Sequence, residues 1–283
     1  MSPLSPQDVI EKIGELPTLP HLAVQMLRLS QDPDATPQDL QRLIVTDAAL
    51  AALVLKIANS AMFGKVREVV TLSQAIMTLG FATIKSVVIA SGAKALFQKQ
   101  RTGLFQHLLW EHSLASALAG AAYGRELGYP TVEEAFLGAL LHDIGKVVMA
   151  TRFPDHCEAI AKKVYNGEAD TLELELETFG FDHAMVGGSL LQAWNLAPRL
   201  VAAVRWHHDP AMAEQPDRPL ASLVALGNQL ALDRHTGLGR PEALAAATAQ
   251  ALAVLGMAED AFLLHREKVI ATVERDQALL TDF

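Results

Sequence analysis

The chain has 283 residues, 51% of them apolar and only 19% charged, which excludes global disorder and allows one large core or two packed subdomains. A formal net charge of −9 with no long Lys/Arg run argues against nucleic-acid binding through phosphates. The single cysteine, Cys157, excludes an intrachain disulfide framework and a cysteine-based zinc site, and the start MSPLSPQDVIEK lacks the basic-then-apolar order of a secretory signal, so a cytoplasmic protein is expected.

Nearly every segment carries a helical pattern. Ser5-Pro6 followed by Asp8 reads as a cap and a first-turn proline. Pro17 and Pro20 end that helix and open the next, over 20–31. Thr36-Pro37 starts another, over 36–46, with Leu40, Leu43 and Ile44 at helical spacing. Residues 48–63 are rich in Ala and Leu, but Lys56 interrupts them, and no other window is expected to supply the ~20 apolar residues of a membrane span. The stretch 72–97 is helical with a break at Leu79-Gly80. A polar break from Gln98 to Gly103 then divides a first subdomain, 1–100, from a second, 101–283. The second is expected to hold helices at 104–127, 131–152, 155–166, 182–194, 198–208, 218–233, 242–256 and 259–279. Strand-like alternation is absent and there is no fixed repeat period, so the fold class is all-α and not a solenoid.

Ten histidines are present, and His112, His142, His183, His207 and His208 stand out. Most lie in apolar helical surroundings, where an ionisable group needs a partner or a metal. In LLHDIGK (140–146), His142 and Asp143 would lie about 100° apart on a helix, so one ion can be gripped by both. Lys146 falls on the same side and could meet a phosphate as a point charge. Gly145 removes a side chain where a helix or an anionic ligand could come close. Imidazole nitrogen with carboxylate oxygen suits zinc, iron, manganese or nickel. A lone helical histidine is ordinarily a hydrogen-bonded core residue; the doublet, with His112 upstream and His207-His208 downstream, is what favours a metal. His21, His107, His156, His235 and His265 have no such company. The small residues between Ala115 and Ala122 are expected to permit close helix packing, Trp110 and Trp206 to pack in the core, and the acidic cluster Glu168, Asp170, Glu173, Glu175 and Glu177 to form a solvated face.

WEHSLASALA (110–119), EEAFLGALLHDIGKVV (133–148), FDHAMVGGSLLQAWNLA (181–197) and VRWHH (204–208) together resemble the HDOD (HD-related output domain) family of the HD superfamily. So do LPTLPHLAVQMLRLSQDP (16–33), IVTDAALAALVLKIANSAMFG (44–64) and TLSQAIMTLGFATIKSVVIA (71–90), and the likeness spans roughly 10–210. The resemblance implies an HD-like helical subdomain packed on an N-terminal helical one, in a bacterial signalling context where many members act by contacting partners. A chain with no receiver, kinase or cyclase segment is then expected to meet its signalling protein partner in trans. Active HD relatives are metal-dependent phosphohydrolases of nucleotides and phosphodiesters, so a nucleotide ligand and catalysis form the alternative. The resemblance places metal ligands at His112, His142 and Asp143, second-metal ligands at His183, His207 and His208, and a catalytic lysine, in an enzyme, at Lys146. Two departures weaken the catalytic pattern. Asn228 stands where a further aspartate is usual, with Asp233 about 140° further round the helix, and DPAMAEQPD follows His207-His208 in place of a Gly-Tyr-Pro signature. Asp143 alone leaves about +1 on one divalent ion and about +3 on two, so a single ion is easier to hold than a pair.

Overall fold

The structure is a computed structural model and describes residues 6–60, 68–98, 103–234, 236 and 241–280. Ser5, His235 and most of the polar break at 98–103 lie outside the described residues. The first half comprises α1 (Pro6–Ile13), α2 (His21–Gln31), α3 (Pro37–Val45), α4 (Ala48–Ala58) and α5 (Leu72–Gln98). The second comprises α6 (Gly103–Glu126), α7 (Val132–Leu141), α8 (Ile144–Arg152), α9 (Pro154–Tyr165), α10 (Thr171–Phe179), α11 (His183–Ala193), α12 (Pro198–Arg205), α13 (Arg218–Asp233), α14 (Ala245–Val254) and α15 (Glu259–Leu280), with short 3-10 turns at Pro210–Met212 and Pro241–Leu244. The described residues contain no strand, and the fold is the expected all-helical one.

Local sequence explains the boundaries. Thr36 and Asp39 form a reciprocal capping box at the start of α3, and Pro37 occupies the first turn. Asp47, Asp170 and Asp182 cap α4, α10 and α11 through their carboxylates. Helix α5 bends at Gly80, whose φ of 74° belongs to the left-handed region that favours glycine.

Helices α2, α3 and α4 pack around α5, which in turn meets α6 and α7. One continuous apolar core runs from this layer into the second half, where α6 lies against α7 and α13. The α6–α13 contact is close because both sides are small: a Cβ on Gly227 would stand 2.6 Å from the Ser116 carbonyl oxygen and 2.9 Å from the Gly120 nitrogen. Helix α1 crosses over to pack on α11, and the Trp194 indole donates to the Pro17 carbonyl. The first half also corrects one sequence expectation. Leu72–Lys94, within α5, has the length and the mean hydropathy (1.6) of a membrane-crossing helix despite containing Lys85 and Lys94. Here its apolar surface is taken up by α2, α3, α4 and α7.

Candidate metal centre

Two helix breaks build the site, and both differ from expectation. The helix expected over 131–152 is interrupted, with α7 ending at Leu141 and α8 starting at Ile144. The helix expected over 198–208 ends at Arg205. Each doublet, His142-Asp143 and His207-His208, therefore sits just past a helix C-terminus. On a continuous helix two neighbours diverge by about 100°; in a turn both can face one point. The first histidine of each doublet does the same local work. His142 Nδ1 donates to the Ala139 carbonyl (2.6 Å) and His207 Nδ1 to the Val204 carbonyl (2.7 Å), three residues back in each case. Those carbonyls belong to the last helical turn, which lacks intrahelical partners. The bond also fixes the tautomer. A carbonyl only accepts, so Nδ1 carries the hydrogen and Nε2 presents its lone pair inward.

His112 and His183 are also held through Nδ1. His112, on α6, donates Nδ1–H to the Thr236 carbonyl (3.1 Å). His183, the first residue of α11, donates Nδ1–H to Glu175 Oε2 (2.6 Å). The Nε2 atoms then converge around Asp143. Its Oδ2 lies 3.6 Å from His112 Nε2, 3.4 Å from His142 Nε2 and 2.8 Å from Lys146 Nζ; its Oδ1 lies 3.2 Å from His183 Nε2. His208 Nε2 is 3.0 Å from His183 Nε2. The outcome is two triads, His112–His142–Asp143 and His183–His207–His208, each with its donor atoms within 4.8 Å of one another. Asp143 turns one oxygen to each triad.

The residues fit a metal on chemical grounds. His142 Nε2, His207 Nε2 and Asn228 Oδ1 are fully buried with no hydrogen-bond partner in the protein. Buried polar atoms are seldom left so, since each costs about 1–3 kcal/mol. Protonation states point the same way for three of the imidazoles. Burial pushes the His112 pKa down to about 3, and burial together with neighbouring imidazoles holds His207 and His208 well below the usual histidine range, leaving all three neutral at neutral pH. His183 differs: burial opposes the charged form, but Glu175 outweighs it and raises the pKa to about 9, so this imidazole is protonated at neutral pH and would release that proton on becoming a ligand. Burial likewise opposes ionisation of Asp143, yet His142 and Lys146 hold its carboxyl well below the ordinary range. Burial drives the Cys157 thiol up to about 12, so it offers no thiolate here.

Two further residues were not legible beforehand. Glu175, read as part of a solvated face, is buried on α10 and accepts from both the backbone nitrogen (2.9 Å) and Nδ1 of His183. Its neighbours Glu168, Glu173 and Glu177 are exposed as expected. The Thr236 carbonyl, fixing His112, is a backbone contact with no side-chain signature. Gly145 is required by a helix rather than a ligand: a Cβ there would overlap the His183 carbonyl oxygen, so α8 and α11 meet backbone to backbone. Asn228 lines the site, whereas Asp233 points away and pairs with Arg266 on α15 (2.9 Å). Trp110 is buried against Phe97, with ring centroids 5.3 Å apart.

A cavity opens onto this centre, walled by α6, α8, α9, α10, α13 and the turn at Pro241–Leu244.

Comparison with known proteins agrees with this architecture. The HDOD domain model matches residues 16–210. An HDOD domain protein of unknown function from Geobacter sulfurreducens is 21% identical and superimposes with a TM-score of 0.75, covering 97% of each chain. A Shewanella amazonensis SB2B protein, described provisionally as a phosphohydrolase, is 28% identical with a TM-score of 0.72, covering 96% of this chain and 97% of that one. A Marinobacter aquaeolei VT8 protein, described provisionally as a signal transduction protein, is 25% identical with a TM-score of 0.66, covering 96% of this chain and 60% of that one. An uncharacterised Treponema pallidum protein is 26% identical over 223 residues, which are 78% of this chain and 43% of the other, so the present chain spans less than half of that relative.

Proposed function

We propose, for a chain that belongs to the HDOD domain family, a regulatory role centred on a bound divalent transition-metal ion, with the state of the metal pocket passed through the helices to a signalling protein partner. The observation that carries this reading is the packing of five imidazoles into two adjoining triads, three of them with Nε2 within 3.6 Å of the Asp143 carboxylate, with three buried polar atoms left unpartnered. His112, His142 and Asp143 would hold the first ion; His183, His207 and His208 would hold it from the other side or accept a second. Nitrogen-rich ligation suits Fe, Mn, Ni or Zn rather than Ca or Mg. Regulation is favoured over turnover by the ligand charge: Asn228 replaces a carboxylate, and Asp143 alone serves both triads. The likeness to the Marinobacter signal transduction protein supports the same reading.

A metal-dependent phosphohydrolase acting on a nucleotide or phosphodiester is the second reading. It is favoured by Lys146 beside Asp143 in the lining of an open cavity, and by the likeness to the Shewanella protein. A metal bound here would supply an activated water, and Lys146 would steady phosphoryl oxygens.

Metal analysis of the purified chain, followed by assays on nucleotides and phosphodiesters with Mn²⁺, Fe²⁺, Ni²⁺ or Zn²⁺, separates the two. Regulation predicts stoichiometric metal lost in Asp143→Ala, no turnover, and a reproducible partner on affinity capture. Turnover abolished by Asp143→Ala replaces it with the hydrolase reading. A chain that retains no metal overturns both.

A further inference from the structure

The cavity beside the metal centre is chemically divided. Its floor is polar, with His112, Asp143, Lys146, His183, His208 and Asn228. Its wall is aliphatic, with Leu109, Met149, Ile160, Val164, Leu172 and Leu244 drawn from α6, α8, α9, α10 and the turn before α14. The other acidic lining groups are already engaged: Asp170 caps α10 through the Leu172 nitrogen (2.8 Å), and Glu175 holds His183.

We infer that this cavity takes a small amphipathic oxyanion, a single phosphate or carboxylate head on a short aliphatic body, with the head at the metal floor and the body against the aliphatic wall. The inference rests on the metal reading above, because Asp143 and Glu175 give the floor no excess positive charge of its own. Three observations set the ligand class. Lys146 is the one Lys or Arg among the described lining residues, and it already donates to Asp143 at 2.8 Å, so a di- or triphosphate finds too little cationic charge. The recess is small, about 90 Å³, below the ~150 Å³ that admits a benzene molecule, so it takes a chain of a few carbons, and a nucleoside would be left at its open side. Finally, the described lining residues include no Phe, Tyr or Trp to stack a base, while aliphatic side chains come from several elements.

The test uses the full chain loaded with Mn²⁺, its metal content measured, and titrated calorimetrically with n-butyl phosphate, inorganic phosphate, butyrate, acetate and AMP. The expected result is that n-butyl phosphate binds roughly tenfold or more tighter than inorganic phosphate, or butyrate than acetate by the same factor, from burial of two or more methylenes. AMP should bind no tighter than inorganic phosphate. The head that shows the gain identifies the ligand as phosphate or carboxylate. Leu172→Asn, at a half-buried wall position, and Ala161→Phe, which fills the cavity, should each erase the gain at unchanged metal content. Metal retained with no tail preference in either pair, or AMP as the tightest ligand, overturns this inference and leaves the metal reading standing. Absence of retained metal overturns both.

Discussion

The two halves of the molecule bury polar groups by different rules. In α1–α5 and their connections the buried polar side chains are small hydroxyls, Ser60, Thr83 and Ser86, set among Met26, Ile44, Leu53, Ile57 and Ile84. From α6 onward the interior takes in His112, His142, Asp143, Glu175, His183, His207, Asn228 and Asp276. Burying ionisable groups costs several kcal/mol unless each is paired, and even a paired set is often no better than an apolar replacement. The first half therefore stabilises the fold, and the second half spends part of that stability on holding a charged centre.

The comparison is sharpened most by Leu53→Ala. Leu53 is 2% exposed in α4, a helix that supplies no residue to either triad, and its truncation should cost about 2–5 kcal/mol. Chemical denaturation should show the loss, while metal bound per folded molecule stays at the level of the unaltered chain. A fall in metal content at full folding would mean that the halves are not separable in this way.

The complementary test is His207→Leu. His207 is fully buried, and its Nδ1 hydrogen bond goes to the Val204 carbonyl. Leucine keeps the volume roughly and removes an unpartnered Nε2. The metal-free protein should change by only about 1 kcal/mol, in either direction. Metal affinity should fall roughly 10–100-fold, read by competition with a coloured chelator. If the variant loses as much stability as Leu53→Ala, His207 is a structural residue and the distinction between the halves collapses.

Glu175→Gln probes one layer out. The amide oxygen of a glutamine there could accept from one of the two nitrogens that Glu175 now serves, but without the charge that raises His183 to about 9. Stability should move little, and metal affinity should drop about tenfold through a less firmly oriented imidazole. Rescue by Glu175→Asp, even in part, would distinguish loss of charge from loss of shape.

The sequence made the helices legible because caps and prolines punctuate them: Thr36-Pro37 marks a start that the structure reproduces. It also singled out the five imidazoles and Asp143, which the fold brings to one place. What it concealed has a common physical origin. The breaks at His142-Asp143 and after Arg205 follow no Gly or Pro, since their carbonyls are satisfied by the histidine side chains themselves. Glu175 sits in an alternating TLELELETF segment whose other acids face solvent; only the arrival of α11, eight residues later, buries it. Thr236 acts through a carbonyl, and a carbonyl is the same in every residue. A local pattern registers where a helix begins. It does not register which distant backbone will complete a histidine.

The smallest effect concerns the rim that closes the second half. Glu126, at the end of α6, accepts from Lys268 Nζ (2.6 Å) and pairs with His265 Nδ1 (3.0 Å), tying α15 down. These hydrogen bonds, Lys268 first, hold its carboxyl below the ordinary value of 4.5. A carboxyl depressed in the folded state stabilises the protein above its unfolded pKa, and the contribution is lost as pH falls through the folded value. Glu126→Gln should therefore lower the Tm by only about a degree or two at pH 7, as expected of a largely solvent-screened pair. The gap should close below about pH 4, once the native carboxyl is itself protonated. A gap that persists at low pH would assign the contact to packing of α15 on α6. A gap of many degrees at neutral pH would mean that the second half relies on this seam for its fold, and that its stability is not held by the apolar core alone.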